Sequence, residues 1–307
     1  MMGRVTQGTI TSQLLRNISS NLGQSASLQE KLATGRNINR PSDDPVGITY
    51  ALRYRSDLAV NDRYQSNVDT ATSWLDFNDT MLSQVGDVIK RAKELGVQGA
   101  TGTNPQVALD NIANELEQLK AQVVDIANSQ FKGKYVFNGQ FTDKITYDPS
   151  LDPAKVVTDN GDINYIVNTG VQLDVNLKGN DVFGYPPTGV TAPKNEDDNL
   201  FHVLDQMIKA LRAGKHEDVN SELSNLESRY GKVLTQQAEV GARVNRVELI
   251  EDRLKDLNVN LQTLQSKTED ADMEELIIKS KVNESVYQAS LSVGSKVIQP
   301  TLVDFLR

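Results

Sequence analysis

Cysteine is absent from this sequence of 307 residues, and histidine occurs only twice. Without cysteine the chain forms no disulfide, and a zinc site of the usual Cys and His ligands is disfavoured. His202 and His216 offer few bases for a nucleophilic triad, and no serine lies in a nucleophile-elbow motif. We therefore expect no enzyme activity, no cofactor and no bound metal.

The sequence also has few aromatic residues, no excess of positive charge and no long apolar run. Aromatic residues make up 6% and the formal net charge is −9, without the clustered Lys and Arg that nucleic-acid binding requires. No apolar run is long enough to span a bilayer, and the N-terminus lacks the layout of a cleavable signal peptide. Taken alone, the N-terminus indicates a cytoplasmic protein. We expect protein partners, and neither nucleic acid nor membrane.

The N-terminal region has the periodicity of an amphipathic helix. Its apolar residues recur mostly in steps of three or four along the chain: Ile10, Leu14, Ile18, Leu22, Leu28 and Leu32. Gly35 is expected to end this helix and to open a loop over residues 35–45.

Two more helices should follow this loop. Asp44 is the expected N-cap of the first, with Pro45 in its first turn and its end near Leu95. Residues 96–105 are expected to break the helix, and Asn104 to cap the next one.

The middle of the chain changes character after Gly133. Short β-branched segments with alternating polarity predict strands, including residues 144–148, and the DNGD sequence at 159–162 is typical of a hairpin turn. Residues 185–199, rich in Pro and Asn, predict a stiff linker back to helix. We interpret 134–195 as a small inserted β domain.

Helical periodicity returns near Leu200 and continues to the C-terminus. From Val219 to Leu264 apolar residues follow a heptad-like pattern, and residues 266–275 interrupt it with a polar, acidic segment. A last amphipathic stretch then follows. Because a lone amphipathic helix is marginal in water, each end needs a partner, and the other end of the same chain is the economical one. The predicted fold is mainly α with an inserted β domain, a long coiled-coil bundle formed by both chain ends.

Two acidic motifs and a series of glycines are explained better by local backbone structure than by a binding or catalytic site. Asp43 and Asp44 could form a carboxylate pair, but a loop acid followed by a helix cap before Pro45 fits better. The DNGD segment lacks the other ligand positions of a calcium loop. Gly96, Gly99 and Gly102 match no dinucleotide or phosphate-binding motif.

Several blocks of this sequence resemble one known family. LATGRNINRPSDDPVGITYALRYRSDL (32–58) is similar to the N-terminal signature shared by flagellins and flagellar hook-associated proteins, and EDADMEE (269–275) and LVDFLR (302–307) are similar to the C-terminal one. The segments around Trp74, at 135–143 and at 240–248 look most like the members that join hook to filament. Residues 145–198 carry no family signature.

The resemblance implies a flagellin-like arrangement in three parts. Residues 1–33 and 273–307 would form an inner layer of terminal helices that is disordered in the free monomer. Residues 34–133 and 196–272 would form a helical bundle, and residues 134–195 the outward β domain.

The resemblance also implies where subunits meet. The loop from Asn39 to Pro45 would contact a neighbouring copy, and the terminal helices would form the inner layer. The candidate assembly residues are Ile10, Leu14, Ile18, Leu22, Leu28, Asn39, Arg40, Pro41, Asp43, Asp44, Val286, Leu291, Val293, Ile298, Leu302 and Phe305.

The implied function is that of a secreted structural subunit at the junction of flagellar hook and filament. Family members leave the cell through the flagellar type III export channel, which explains the missing signal peptide. The implied partners are identical copies in a ring, a preceding hook-associated protein, flagellin, whose assembly the ring would template, and an export chaperone on the C-terminal helix. Two alternatives stay open, a flagellin that builds the filament itself and a cytoplasmic coiled-coil scaffold.

Overall fold

The computed structural model describes residues 7–148 and 150–298, and it is mostly helical, as predicted. The helices are α1 (Gln7–Thr34), α2 (Pro45–Ala100), α3 (Gln106–Ala127), α4 (Gly179–Phe183), α5 (Leu200–Arg212), α6 (His216–Glu269) and α7 (Met273–Ile298). The strands are β1 (Gln130–Phe131), β2 (Lys134–Tyr135), β3 (Asn164–Asn168) and β4 (Val171–Asp174).

The end of α1 and the start of α2 follow the predicted signals. Gly35, directly after α1, has a φ of +69°, a conformation that glycine adopts without strain. Asp44 accepts a hydrogen bond from the Val46 backbone N–H (3.0 Å), and α2 begins at Pro45.

The predicted break between α2 and α3 is shorter than expected. α2 continues to Ala100, and Gly96 and Gly99 let α5 approach it closely. A Cβ at Gly96 would lie 2.5 Å from Met207, and one at Gly99 would lie 2.4 Å from Leu211. The prediction that Asn104 caps α3 is wrong, because its side chain donates to the Gln98 carbonyl (2.6 Å) and α3 has no side-chain cap.

The middle of the chain has less strand than predicted. β1 pairs with β2 and β3 with β4, each pair as an antiparallel hairpin, and residues 144–148 form no strand. The prediction for DNGD is wrong. The turn lies at Thr169 and Gly170, where glycine supplies a φ of +73°, and Asp159 instead accepts hydrogen bonds from the backbone of Gln140 and Gly161.

The polar interruption predicted at 266–275 is shorter in the structure, where only three residues separate α6 from α7. α6 continues through Glu269, and α7 starts at Met273. Asp272 caps α7 by accepting from the backbone N–H groups of Glu274 and Glu275 (3.0 and 3.1 Å).

By contacts the chain divides into two compact units. The central unit is residues 61–256, and the terminal unit is residues 1–60 with 257–307. The three-part division at 33/34, 133/134, 195/196 and 272/273 stays a prediction.

The core of the central unit follows heptad spacing on its long helices. In α6, residues seven apart are buried from Val219 to Leu254, and α2 shows the same spacing in two series. The series are Val219, Leu226, Val233, Val240, Val247 and Leu254 on α6, and Val68, Leu75, Leu82 and Ile89 with Ala71, Asn78, Val85 and Ala92 on α2. An aromatic cluster of Phe137, Tyr147, Phe183 and Phe201 extends this core towards the hairpins.

Candidate assembly surface

In the terminal unit, α1 pairs with α7 along a seam that is only partly apolar. α1 contributes half-buried residues at heptad spacing, and α7 contributes a matching set of buried and half-buried ones. The α1 set is Thr11, Leu14, Ile18, Asn21, Ser25, Leu28 and Leu32, and the α7 set is Leu276, Ser280, Asn283, Tyr287, Ser290 and Gly294. We call these two sets the seam.

Hydrogen bonds link the polar residues of the seam. Asn283 donates to the Asn21 carbonyl (3.3 Å) and to the Ser25 hydroxyl (3.2 Å), and Asn21 donates to Ser290 (3.5 Å). Gly294 brings the helices close together, since a Cβ there would lie 2.9 Å from a methyl group of Leu14. The seam therefore combines half-buried apolar residues with polar contacts that hold in one register.

The predicted assembly residues of the terminal helices and the C-terminus fall into three groups. Leu14, Ile18 and Leu28 lie half-buried in the seam. The others on described side chains are exposed and do not meet across it: Ile10, Leu22, Val286, Leu291 and Val293. Ile298 is the last residue of α7, and nothing is described of its side chain, while Leu302 and Phe305 lie outside the described residues.

A second apolar face of α7 lies beside the seam and is exposed. Ile278, Val282, Val286 and Val293, which we call the outer stripe, recur at steps of four and seven residues and are 45–64% exposed. Ile278, Val282 and Val286 of this stripe line a groove of about 600 Å³, together with Leu28 and Leu276 of the seam. Exposed apolar patches of this kind mark sites of protein association.

The loop between α1 and α2, residues 36–44, is polar, exposed for most of its length, and ordered by its own side chains. We call it the polar loop. Asp43 accepts from the backbone N–H groups of Arg40 (2.9 Å) and Asn39 (3.1 Å), and these bonds lower the pKa of Asp43. Arg40 forms a bidentate pair with Glu30, at 2.8 to 3.2 Å.

The predicted contact residues of the polar loop therefore have a fixed arrangement on the surface. Arg40, Pro41, Asp43 and Asp44 are exposed, and Asn39 is half-buried. Ile38 is buried beneath them, in a space where a Cβ at Gly47 would lie only 2.5 Å from its methyl group.

Sequence reasoning missed the charged residue that anchors this loop. Glu269, the last residue of α6, is 1% exposed as a side chain and receives a two-pronged contact from Arg55, at 2.7 and 2.6 Å. The same bonds raise the pKa of Arg55. The only signal in the sequence was that Glu269 opens the EDADMEE block and Arg55 lies within the 32–58 block.

The central unit holds a second buried charge cluster. Arg229, on α6, is 1% exposed and contacts both Glu196 and Asp198. Burial alone would raise the pKa of Glu196, but hydrogen bonds from Lys194 and Arg229 lower it to about 2. The pKa of Asp198 is also lowered, against the effect of burial, by Lys232 and Arg229. The predicted linker at 185–199 is thus anchored near its end.

Other kinds of site find little support in the part of the chain that the structure describes. There, no group of three or more His, Asp or Glu side chains is placed to hold a metal ion. Across 7–148 and 150–298, no helix combines the length and apolarity needed to cross a membrane.

Comparison with known proteins gives consistent matches. The model of the bacterial flagellin N-terminal helical region matches residues 5–142, and that of the C-terminal helical region matches residues 223–306. The chain is 26% identical over 305 residues to flagellar hook-associated protein 3 of Salmonella typhimurium, covering 94% of each chain. It is also 26% identical over 305 residues to flagellin of Bacillus subtilis, covering 96% of each.

A solved structure shows the same fold. The flagellar junction protein FlgL of Legionella pneumophila superposes with a TM-score of 0.58 at 17% identity, covering 72% of this chain and all of that one.

Proposed function

The chain belongs to the bacterial flagellin family, and we propose that it is a structural subunit of the flagellum that joins the hook to the filament. The two family models cover both helical ends, and the alignment with hook-associated protein 3 runs through the middle as well. The observation that carries the proposal is the pairing of α1 with α7, which lie within the two matched regions, in a unit with an apolar outer stripe.

The terminal unit is the part that would bind other subunits. Its outer stripe and its polar loop are exposed, so a neighbouring copy can reach both. When one patch meets a different patch on the next copy, the contact is heterologous and builds a ring or a helix. We infer that identical copies form a ring in this way, with both features buried between subunits.

Assembly with flagellar components follows from the family, and the particular neighbours are part of the proposal. A preceding hook-associated protein would bind on the hook side, and flagellin would bind on the filament side, where the ring would template its assembly. The exposed apolar face of α7 is also the surface that an export chaperone would cover. The protein would act outside the cell after export.

Joining the hook to the filament is a structural role that requires no reaction chemistry, and we propose that the protein is not an enzyme. Its relatives carry the names of structural flagellar proteins. The buried charges contact one another or the backbone, as expected of groups that hold elements in place.

Deletion of the gene tests the proposal directly. Electron microscopy should show bare hooks, and blotting should detect flagellin in the culture medium, because filaments would be unable to attach. Normal filaments would overturn the proposal and favour the cytoplasmic scaffold.

Flagellin itself is the second candidate, favoured by the match to the Bacillus subtilis protein over 96% of both chains. The same deletion separates the two functions, because loss of the filament subunit leaves bare hooks and no flagellin in the medium. Purified protein gives an independent measure. A filament subunit seeds into long polymers, whereas a junction subunit should not polymerise readily alone.

A further inference from the structure

Glu269 lies where three segments of the terminal unit meet. Its carboxylate binds Arg55 of α2 through both oxygens, at 2.7 and 2.6 Å, and lies 3.6 Å from Arg36 at the start of the polar loop. Its backbone carbonyl accepts from the N–H of Asn37 (2.7 Å). We call Glu269, Arg55 and Arg36 the Glu269 node.

Backbone contacts at the node make it the anchor of the polar loop. The Ala271 N–H donates to the Gly35 carbonyl (3.0 Å), so Glu269 and the chain just after it contact the residues where the loop starts. The loop's own bonds, from Asp43 and between Arg40 and Glu30, fix its shape and tie it to α1. The contacts of the node instead fix where the loop lies against α2 and α6.

The energetics favour a positioning role. Removing a carboxylate from water is costly, and a buried ion pair often adds no net stability compared with apolar residues of similar size. What a two-pronged guanidinium contact does supply is a fixed distance and angle between the two groups. The buried carboxylate of Glu269 beside two arginines is therefore explained better by the geometry that it imposes on the polar loop than by a gain in stability.

We propose that Glu269 is the positioning residue of the assembly surface, holding the polar loop where the next copy of this chain binds it. This inference rests on the proposed function, because it assumes that the loop meets a second subunit. The inference adds to the proposed function a buried residue that sets the position of the loop.

Two substitutions test the node, one by removing its charge and the other by changing its geometry. Glu269→Gln keeps the shape of the side chain and removes its negative charge. Arg55→Lys keeps the positive charge and removes the two-pronged guanidinium contact. The control is Arg91→Lys in the central unit, where two nitrogens of Arg91 donate to one oxygen of Glu115 (2.9 and 2.6 Å) and both side chains are exposed.

The first readout is hydrogen exchange in the purified full chain. In both node variants the amides of Asn37 and Ala271 should exchange about tenfold faster, the effect of losing one charge-assisted hydrogen bond. Amides of the central unit should keep their wild-type rates, as should all amides in Arg91→Lys. Unchanged exchange at Asn37 and Ala271 in Arg55→Lys would overturn the proposal, even if Glu269→Gln unfolds.

The second readout is filament attachment in cells that carry each variant as the sole copy. Fewer attached filaments in Arg55→Lys, with wild-type numbers in Arg91→Lys, is the expected result. Faster loop exchange with normal attachment would show that assembly does not depend on the loop's position, which also overturns the inference. Normal filaments in the gene deletion would instead refute the proposed function, while the exchange experiment would still report on the node.

Discussion

In the central unit an apolar core runs from Val68 to Leu254, whereas in the described part of the terminal unit most large apolar side chains are exposed. Both units use heptad spacing on long helices. In the central unit the repeated positions hold mostly Leu, Val, Ile and Ala, and in the terminal seam many hold Asn, Ser or Gly. The central unit thus has a core of its own, and the terminal unit keeps apolar surface for partners.

The sharpest test of this comparison is to place charge on exposed apolar residues of each unit. Val286→Asp with Val293→Asp should abolish filament attachment, because a carboxylate buried without a partner between subunits costs several kcal/mol. Both residues are already exposed in the single chain, so its unfolding temperature should hardly change. Electron microscopy and thermal melting measure the two effects.

Leu249→Asp is the matched control, since Leu249 is 72% exposed in the central unit. Attachment should be retained in this variant. If both variants assembled normally, the outer stripe would not be an assembly surface.

The reverse comparison uses leucine truncations and measures the stability of the free chain. Leu226→Ala, at a fully buried position of α6, should lower the free energy of unfolding by about 3 kcal/mol. Leu22→Ala, at a position 57% exposed on α1, should lower it by less than about 0.5 kcal/mol. Urea unfolding measures both, and equal losses would contradict the division into a self-sufficient unit and a partner-dependent one.

A third test concerns acid, which should act on the central unit through Glu196. Its pKa of about 2 in the folded chain is below its ordinary value of 4.5, so its contribution to stability is present above pH 4.5 and is lost as pH falls towards 2. Glu196→Gln should cost about 2 kcal/mol at pH 7 and weaken the dependence of the unfolding temperature on pH in this window.

Glu239→Gln is the control for the acid test, because Glu239 pairs with Arg243 on the surface of the same unit. It should leave both the stability and its pH dependence almost unchanged. A pH profile of Glu196→Gln that matched the wild type would show that the cluster around Arg229 does not stabilise the fold.

Helices, their order and several of their ends could be predicted from the sequence because heptad spacing, glycine and acidic caps act locally. Gly35 and Asp44 are examples of such local signals. The prediction that Asn104 caps α3 failed, because its side-chain amide donates to the Gln98 carbonyl instead. The outward direction of Val286 and Val293 was not predictable, because an apolar stripe on α7 was assumed to face α1. Glu269 was missed because its arginine partners, Arg55 and Arg36, lie more than two hundred residues away in the sequence.

The last test concerns the polar seam, where Asn283→Leu sharpens the comparison by making the terminal unit more like the central one. A buried Asn at such a position fixes the register of paired helices at some cost in stability. The substitution should change the free energy of unfolding by less than about 1 kcal/mol, yet loosen the register of α1 against α7. Because the chain has no cysteine, Leu14→Cys with Gly294→Cys supplies a disulfide reporter at a close approach of the seam. Cross-linking should be efficient with Asn283 and should fall in Asn283→Leu, while the exposed control Asn17→Leu should leave it unchanged. Full cross-linking in Asn283→Leu would mean that the remaining apolar residues of the seam, such as Ile18 and Leu28, set the register without help from Asn283.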